Sequence, residues 1–186
     1  ATRNAYGAAL VELGEAHEDV VALDADLSVS TQSAKFGEAF PDRFFNVGAA
    51  EANMMSMACG LAATGKVPYC STFAIFAAGR AYDQVRLGIA HNELKVRIGA
   101  SHGGVSLGED GASHQMIEDI ALMRAMPKMT VVVPADYNQA YRATLDSYES
   151  DEPMYLRFGR PATPVVYDDV PETMGHGVDV LREGKD

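Results

Sequence analysis

Short apolar runs rich in β-branched residues recur along the chain, at 20–24, 67–71, 95–100, 130–133 and 154–158. They are continuous runs rather than strict apolar–polar alternations, the pattern of strands covered on both faces by helices. Between them apolar positions return at helical spacing, which predicts helices over 6–17, 51–64, 76–91, 115–125 and 137–148. Repeated strand–helix alternation implies an α/β fold, a doubly wound and mainly parallel sheet with helices on both faces. Ligands are then expected beyond the carboxyl ends of the strands. From Pro161 the helical period stops, and Pro161, Pro164 and Pro171 punctuate an extended stretch. Residues 175–186 read as the opening of a hairpin with no sequel. The expected division is therefore an α/β domain over 1–160 and an extended exit arm over 161–186, leading to the start of another domain.

Composition narrows the class. The 186 residues are 47% apolar and 22% charged, enough for one domain with a real core. Lys and Arg total 15 against 26 Asp and Glu, a formal charge of -11. That balance argues against a nucleic-acid partner, which needs clustered basic residues, but leaves room for a local basic pocket that takes a small anion. The two cysteines, Cys59 and Cys70, form no CxxC and no second pair, so neither a disulfide framework nor a cysteine zinc site is expected. No apolar run is long enough to span a membrane and no leader pattern opens the chain, so a reducing, cytoplasmic setting is expected.

Four segments follow predicted strands and hold the candidate chemistry. The first, Asp24-Ala-Asp26-Leu-Ser-Val-Ser30, is an acidic loop that also reads as a helix cap. In the second, Glu51 opens a nearly uncharged, small-residue stretch, 54–63, expected to be buried. Glu51 is either a first-turn glutamate favoured by the helix dipole or a carboxylate in an apolar wall, where proton chemistry becomes available. The third carries Phe73 and Phe76, core residues or a platform for a flat ring. The fourth, 101–115, holds His102, Asp110 and His114 among glycines. It lacks metal-ligand spacing, a Walker pattern and GxGxxG, so on spacing alone it is a pocket loop of open chemistry.

In this order, the four segments resemble the central pyrimidine-binding domain of transketolases, thiamine-diphosphate enzymes. The loop Gly108-Glu-Asp-Gly-Ala-Ser-His-Gln115 is similar to that family's GEDGPTHQ, and Ala25-Asp26-Leu27 to its ADL. The resemblance runs from Ala1 to about Arg160. It implies reversible transfer of a two-carbon ketol unit from a ketose phosphate to an aldose phosphate. Glu51 falls on the glutamate that bonds N1' of the cofactor's aminopyrimidine, a contact that favours the imino tautomer, whose nitrogen then takes the proton from thiazolium C2. Phe73 and Phe76 fall on the aminopyrimidine pocket, Phe76 as the stacking partner, and Asp26 on an acid close to the cofactor. Arg3, Ser30, His102 and Arg160 fall on positions for the sugar's phosphate end. Asp110 falls on a reader of a sugar hydroxyl, and His114 on a group near the reacting carbons. Arg157 is the nearest competitor of Arg160, which is preferred for its distance from Pro153.

The sequence departs from the family in three places. Gly79 stands where some relatives carry a further aromatic. The GDG-and-later-Asn set that holds diphosphate and metal is absent, so thiamine diphosphate and Mg2+ or Ca2+ are expected on a separate diphosphate-binding domain or subunit, with this chain holding no metal. The family's third domain is also missing beyond the possible stub. Expected assemblies are a homodimer or a heterotetramer. Related alternatives are a deoxyxylulose-phosphate synthase and a 2-oxo acid dehydrogenase β subunit, against which His102 speaks. A non-catalytic α/β binding module is the alternative from another class.

Overall fold

The computed structural model describes residues 1–174, 180 and 182–185. The hairpin opening expected over 175–186 therefore falls largely outside the described residues. Six parallel strands form one sheet: β1 (Val20–Asp24), β2 (Phe44–Asn46), β3 (Val67–Phe73), β4 (Arg97–Ser101), β5 (Thr130–Val132) and β6 (Met154–Arg157). Their order across the sheet is β2-β1-β3-β4-β6-β5. Every residue of β1, β3 and β4 is buried, including Arg97 of β4, whose guanidinium donates to the backbone carbonyls of Ser147, Ser150 and Glu152, whereas the edge strands β2 and β5 are not buried throughout. The expected doubly wound parallel sheet is what forms. β2 is an addition, because a three-residue edge strand of Phe-Phe-Asn carries no run long enough to announce itself.

Helices cover both faces. On one, α1 (Thr2–Ala16), α3 (Ala34–Ala39) and α6 (Tyr137–Asp146) bury Tyr6, Leu10, Phe36 and Ala140 against the sheet. Tyr6 lies so close to β4 that a Cβ on Gly99 would sit 2.5 Å from its ring, and its hydroxyl is 2.7 Å from Ser71 Oγ on β3. Only glycine admits that approach. On the other face, α4 (Glu51–Ala63), the segment after β3 and α5 (Asp119–Arg124) pack Met54, Met55, Val85 and Met123 onto the sheet. A short α2 (Ser28–Thr31) follows β1. Among the described residues, no helix is long and apolar enough to cross a membrane.

Three expectations are corrected. The stretch 54–63 is buried on one side only: Met54, Met55 and Ala58 are fully buried, while Asn53, Ser56, Met57 and Gly60 face outward. An apolar helix buries only the face that has a neighbour, and among the described residues nothing covers the other. The single helix expected over 76–91 is instead two wide-pitched π-helical segments, Ile75–Arg80 and Gln84–Ala90. Their five-residue bonds include Ala81 N–H to Phe76 O at 3.0 Å and His91 N–H to Arg86 O at 3.0 Å. π turns of this kind are rare and favour functional sites. The helix expected over 115–125 starts only at Asp119, because Met116 is tied to Gly104 by two backbone hydrogen bonds of 2.7 and 3.1 Å.

After β6 the chain runs along α6. Asp136 Oδ2 accepts from the backbone N–H groups of Val166 and Tyr167 at 2.7 and 2.9 Å, while its Oδ1 caps α6 at Gln139 N–H, 2.9 Å. Met174 N–H reaches Asp146 Oδ2 at 2.7 Å.

Candidate active site

In a parallel sheet each helix runs back against its strands, so the N-terminus of α1 lies level with the strands' carboxyl ends. Thr2 fixes it there by accepting the Gly159 N–H at 2.9 Å, just past β6. The loops after β1, β3, β4 and β6, four adjacent strands, meet the same end. They enclose a cavity of about 420 Å³ lined by Arg3, Ser30, Phe73, His102, Asp110 and Arg160. β1 and β3 flank the point where the strand order reverses, the position at which open α/β sheets bind ligands.

The cavity is electropositive on one side. Burial, and then repulsion from Arg160, lowers the Arg3 pKa from its ordinary value, so the two guanidiniums share one space. Arg3 donates to Ser30 O at 2.7 Å, and among the described residues its buried Nε finds no hydrogen-bond partner. A buried unpaired donor beside a second guanidinium suits an anion. Arg160 donates to Leu107 O at 2.7 Å and pairs with both carboxylate oxygens of Glu109, at 3.1 and 2.5 Å. Gly108, at φ +78°, lets the guanidinium pass, since a Cβ there would stand 2.4 Å from it.

His102 is 2% exposed and holds a left-handed backbone, φ 59°, at the turn out of β4. Burial, helped by Arg3, pushes its pKa down to about 4 despite the opposing pull of Asp110. It is therefore neutral near pH 7. Ser101 Oγ lies 2.9 Å from Nδ1, and a hydroxyl donating there leaves the ring hydrogen on Nε2, one neutral donor for a ligand. Phe73 stacks on His102 at 3.8 Å and stands parallel to Phe76 at 5.9 Å. His114 is edge-on to Phe76 and Phe73, at 5.4 and 6.2 Å. These four rings join the cavity to a second, neighbouring group.

That group is built on Glu51, the first residue of α4, whose side chain is 2% exposed. Arg80, on the first π-helical segment, reaches Oε1 and Oε2 through Nη1 at 2.9 and 3.0 Å. Its Cζ lies 4.3 Å above the Phe76 ring. A flat, cationic, N–H-bearing group thus rests between the carboxylate and the aromatic face. An aminopyrimidine is flat and carries a ring nitrogen able to share a proton with a carboxylate, so the same carboxylate and ring fit it.

Of the residues picked out from the sequence, Arg3, Ser30, Phe73, His102, Asp110 and Arg160 meet at the cavity, while Glu51, Phe76 and His114 lie around its aromatic edge. Asp26 stands apart. It is exposed, left-handed at φ 65°, and touches Asn46 at 3.5 Å, whereas its neighbour Asp24 is buried and accepts from Leu27 N–H, Thr31 and Ser33 at 2.6, 2.9 and 2.8 Å. Arg157 turns away to Asp119, at 2.7 Å, and to Met116 O. Sequence reasoning missed Arg80 and Glu109, the charged partners of Glu51 and Arg160. Each pair joins distant positions, 29 and 51 residues apart, so no local spacing signals it. The Phe76–Arg80 step of four was the one available hint. Among the described residues, no three His, Cys, Asp or Glu side chains cluster as metal ligands would.

Comparison with known proteins decides the family. Residues 1–165 match the family described as "Transketolase, pyrimidine binding domain". The chain belongs to that transketolase family. It is 48% identical to a putative transketolase C-terminal section of Methanocaldococcus jannaschii over 99% of this chain, and 39% identical to human transketolase over 100% of it. It spans 59% of the first relative's length and 30% of the second's. Among solved structures, one described as a split-gene transketolase, inactive β4 tetramer, superposes with a TM-score of 0.88 at 50% identity, covering all of this chain and 60% of that one. A Pichia stipitis transketolase in complex with sedoheptulose 7-phosphate superposes at 0.80 with 30% identity, over 91% of this chain and 27% of that one.

Proposed function

We propose that this chain is the pyrimidine-side half of a transketolase active site, transferring a two-carbon ketol unit from a ketose phosphate to an aldose phosphate. The observation that carries the reading is one cavity that gathers two guanidiniums, a neutral imidazole and a hydroxyl beside a buried carboxylate and an aromatic pair. Thiamine diphosphate, when bound, supplies the nucleophilic carbon and the electron sink for the two-carbon unit. Glu51 and Phe76 hold its aminopyrimidine, and Asp26, exposed and apart from the cavity, joins the set once a partner covers that loop. Glu51 shares a proton with the ring nitrogen and so promotes proton removal at the reacting carbon. His114, at the aromatic edge, moves protons at the substrate's reacting carbons. Asp110 reads a sugar hydroxyl. Arg3, Ser30, His102 and Arg160 take the phosphate, a dianion matched by two fixed forks of N–H donors.

A separate diphosphate-binding domain or subunit supplies the seat for the diphosphate and for Mg2+ or Ca2+. The exposed face of α4, with Met57 37% exposed, supports assembly into a homodimer or heterotetramer, in keeping with a similar structure described as a tetramer. The cytoplasm is the proposed setting. Residues 161–174, held along α6, form an arm leading out of the domain.

The test is two-carbon transfer between xylulose 5-phosphate and ribose 5-phosphate. Turnover is expected when this chain is combined with its diphosphate-binding partner, thiamine diphosphate and Mg2+, and absent when the chain is alone with cofactor and metal. Efficient turnover by the chain alone would overturn the half-site reading, and none in the complex would overturn the activity.

A further inference from the structure

We infer that Arg80 is a displaceable occupant of the aminopyrimidine seat, so that cofactor entry is an exchange of one flat N–H donor for another. This rests on the reading of Glu51 and Phe76 given above. The guanidinium makes both contacts that the seat offers: two bonds to the Glu51 carboxylate at 2.9 and 3.0 Å, and a face-on approach to Phe76 at 4.3 Å. Any ring that stacks on that face of Phe76 while bonding Glu51 must take the same space. The two occupants exclude one another.

The two ends of the pair differ in freedom. The Glu51 side chain is 2% exposed and fixed at the start of a helix, whereas that of Arg80 is 54% exposed on a long flexible stem. A buried carboxylate left without a partner is strongly unfavourable. With Arg80 in place, the chain without cofactor never carries Glu51 in that condition. When an aminopyrimidine takes over the hydrogen bond, the guanidinium swings into water, where a cation is well solvated. The π-helical geometry contributes, since the wide turn from Phe76 O to Ala81 N–H places Arg80 at its end. Arg80 in this account is a positioning residue: it pairs with Glu51 and holds it oriented before the cofactor arrives, and it lowers apparent cofactor affinity by the fraction of time that it fills the seat.

The experiment is calorimetric titration of thiamine diphosphate into the complex of this chain with its diphosphate-binding partner, at fixed Mg2+. Arg80→Met keeps length and removes charge and donors. It is expected to tighten Kd by about three- to tenfold, because the competent state is no longer taxed by the internal occupant. Arg80→Lys, which can still pair with Glu51 but cannot lie flat on Phe76, is expected between the two and guards against misfolding of the Met variant. In a Glu51→Gln background, which weakens the hold on Arg80, the Met substitution is expected to change Kd by less than twofold. Equal or weaker binding by both Arg80 variants in the Glu51 background would overturn the exchange and leave the functional reading intact. No binding heat in the wild-type complex would overturn the functional reading itself.

Discussion

The seat at Glu51 and the cradle at Arg160 each hold a carboxylate against a guanidinium, but with burial reversed. At the seat the acid is buried and the arginine exposed; at the cradle the Arg160 side chain is 30% exposed and Glu109 78%. The seat stands on regular elements, the first turn of α4, the end of β3 and a π-helical segment. The cradle stands on loops whose backbone turns through left-handed positions at Gln32, His102, Gly104, Gly108 and Gly111. On the proposed reading, the group that holds one proton at one atom stands on rigid structure, and the group that admits and releases substrates of different length stands where the chain can give. This difference between proton chemistry and recognition is what substitutions should expose.

The largest effect is expected at the seat. Glu51→Gln keeps size and polarity but cannot share a proton, so kcat of the reconstituted enzyme should fall by about two orders of magnitude or more, the upper part of the range for lost acid–base assistance. Hydrogen–deuterium exchange at thiazolium C2 measures the step directly. Equal exchange in wild type and variant would remove Glu51 from catalysis and leave it as a helix-terminus charge. The fold should be unaffected, and cofactor affinity should fall less than turnover, because the diphosphate contacts are proposed to lie on the partner.

The cradle should answer differently. Arg160→Ala is expected to raise KM for phosphorylated sugars by about ten- to a hundredfold, the range for one charge-assisted contact, with far smaller effects on unphosphorylated substrates. Steady-state kinetics on matched pairs of substrates tests it. Equal loss on both would make Arg160 a structural residue and erase the contrast with the seat.

These differences also decide what could be read from the sequence. The central strands were legible because burial on both faces favours mainly apolar stretches, even with Arg97 buried in β4, and β2 was not because an edge strand of three residues is under no such constraint. Glu51 stood out as the one charge at the head of an uncharged stretch. Arg80 did not, since its role depends on a π-helical register that the helical period masks and on a partner 29 residues away. The cradle residues were picked through the resemblance of several segments to one family, and their convergence from α1 and three loops is a property of the sheet order alone.

His102 offers a middle-sized test. Its folded pKa, about 4, lies below the ordinary histidine value of 6.5, so the folded state binds fewer protons than the unfolded between these limits. Stability is therefore full above pH ~6.5 and declines as pH falls toward ~4, the slope following the protons taken up on unfolding. The cavity opens to solvent, and screening trims the contribution to about 1–2 kcal/mol. Urea denaturation across that range should show the decline in wild type and a shallower one in His102→Gln. Parallel curves would mean that His102 is charged or solvated in the folded chain.

The smallest expected effect is also the most specific. Glu109 occupies Arg160 by a two-point contact, and the same forked donor face is the one a phosphate would take. On the proposed reading, substrate phosphate competes with a carboxylate already present, as the aminopyrimidine competes with Arg80. Because the cradle pair is exposed, the competition is weak: an ion pair in water gains little and is screened by salt. Glu109→Gln should lower KM for phosphorylated sugars by only about two- to threefold, leave kcat and unphosphorylated substrates unchanged, and lose even that advantage as ionic strength rises. The salt series separates the two available roles. If Glu109 only supports the loop around Gly108, the variant should bind phosphorylated sugars less well at every salt concentration, since Arg160 would lose the contact that orients it. A raised KM would thus assign Glu109 to holding the cradle, and a lowered one, fading with salt, to guarding it.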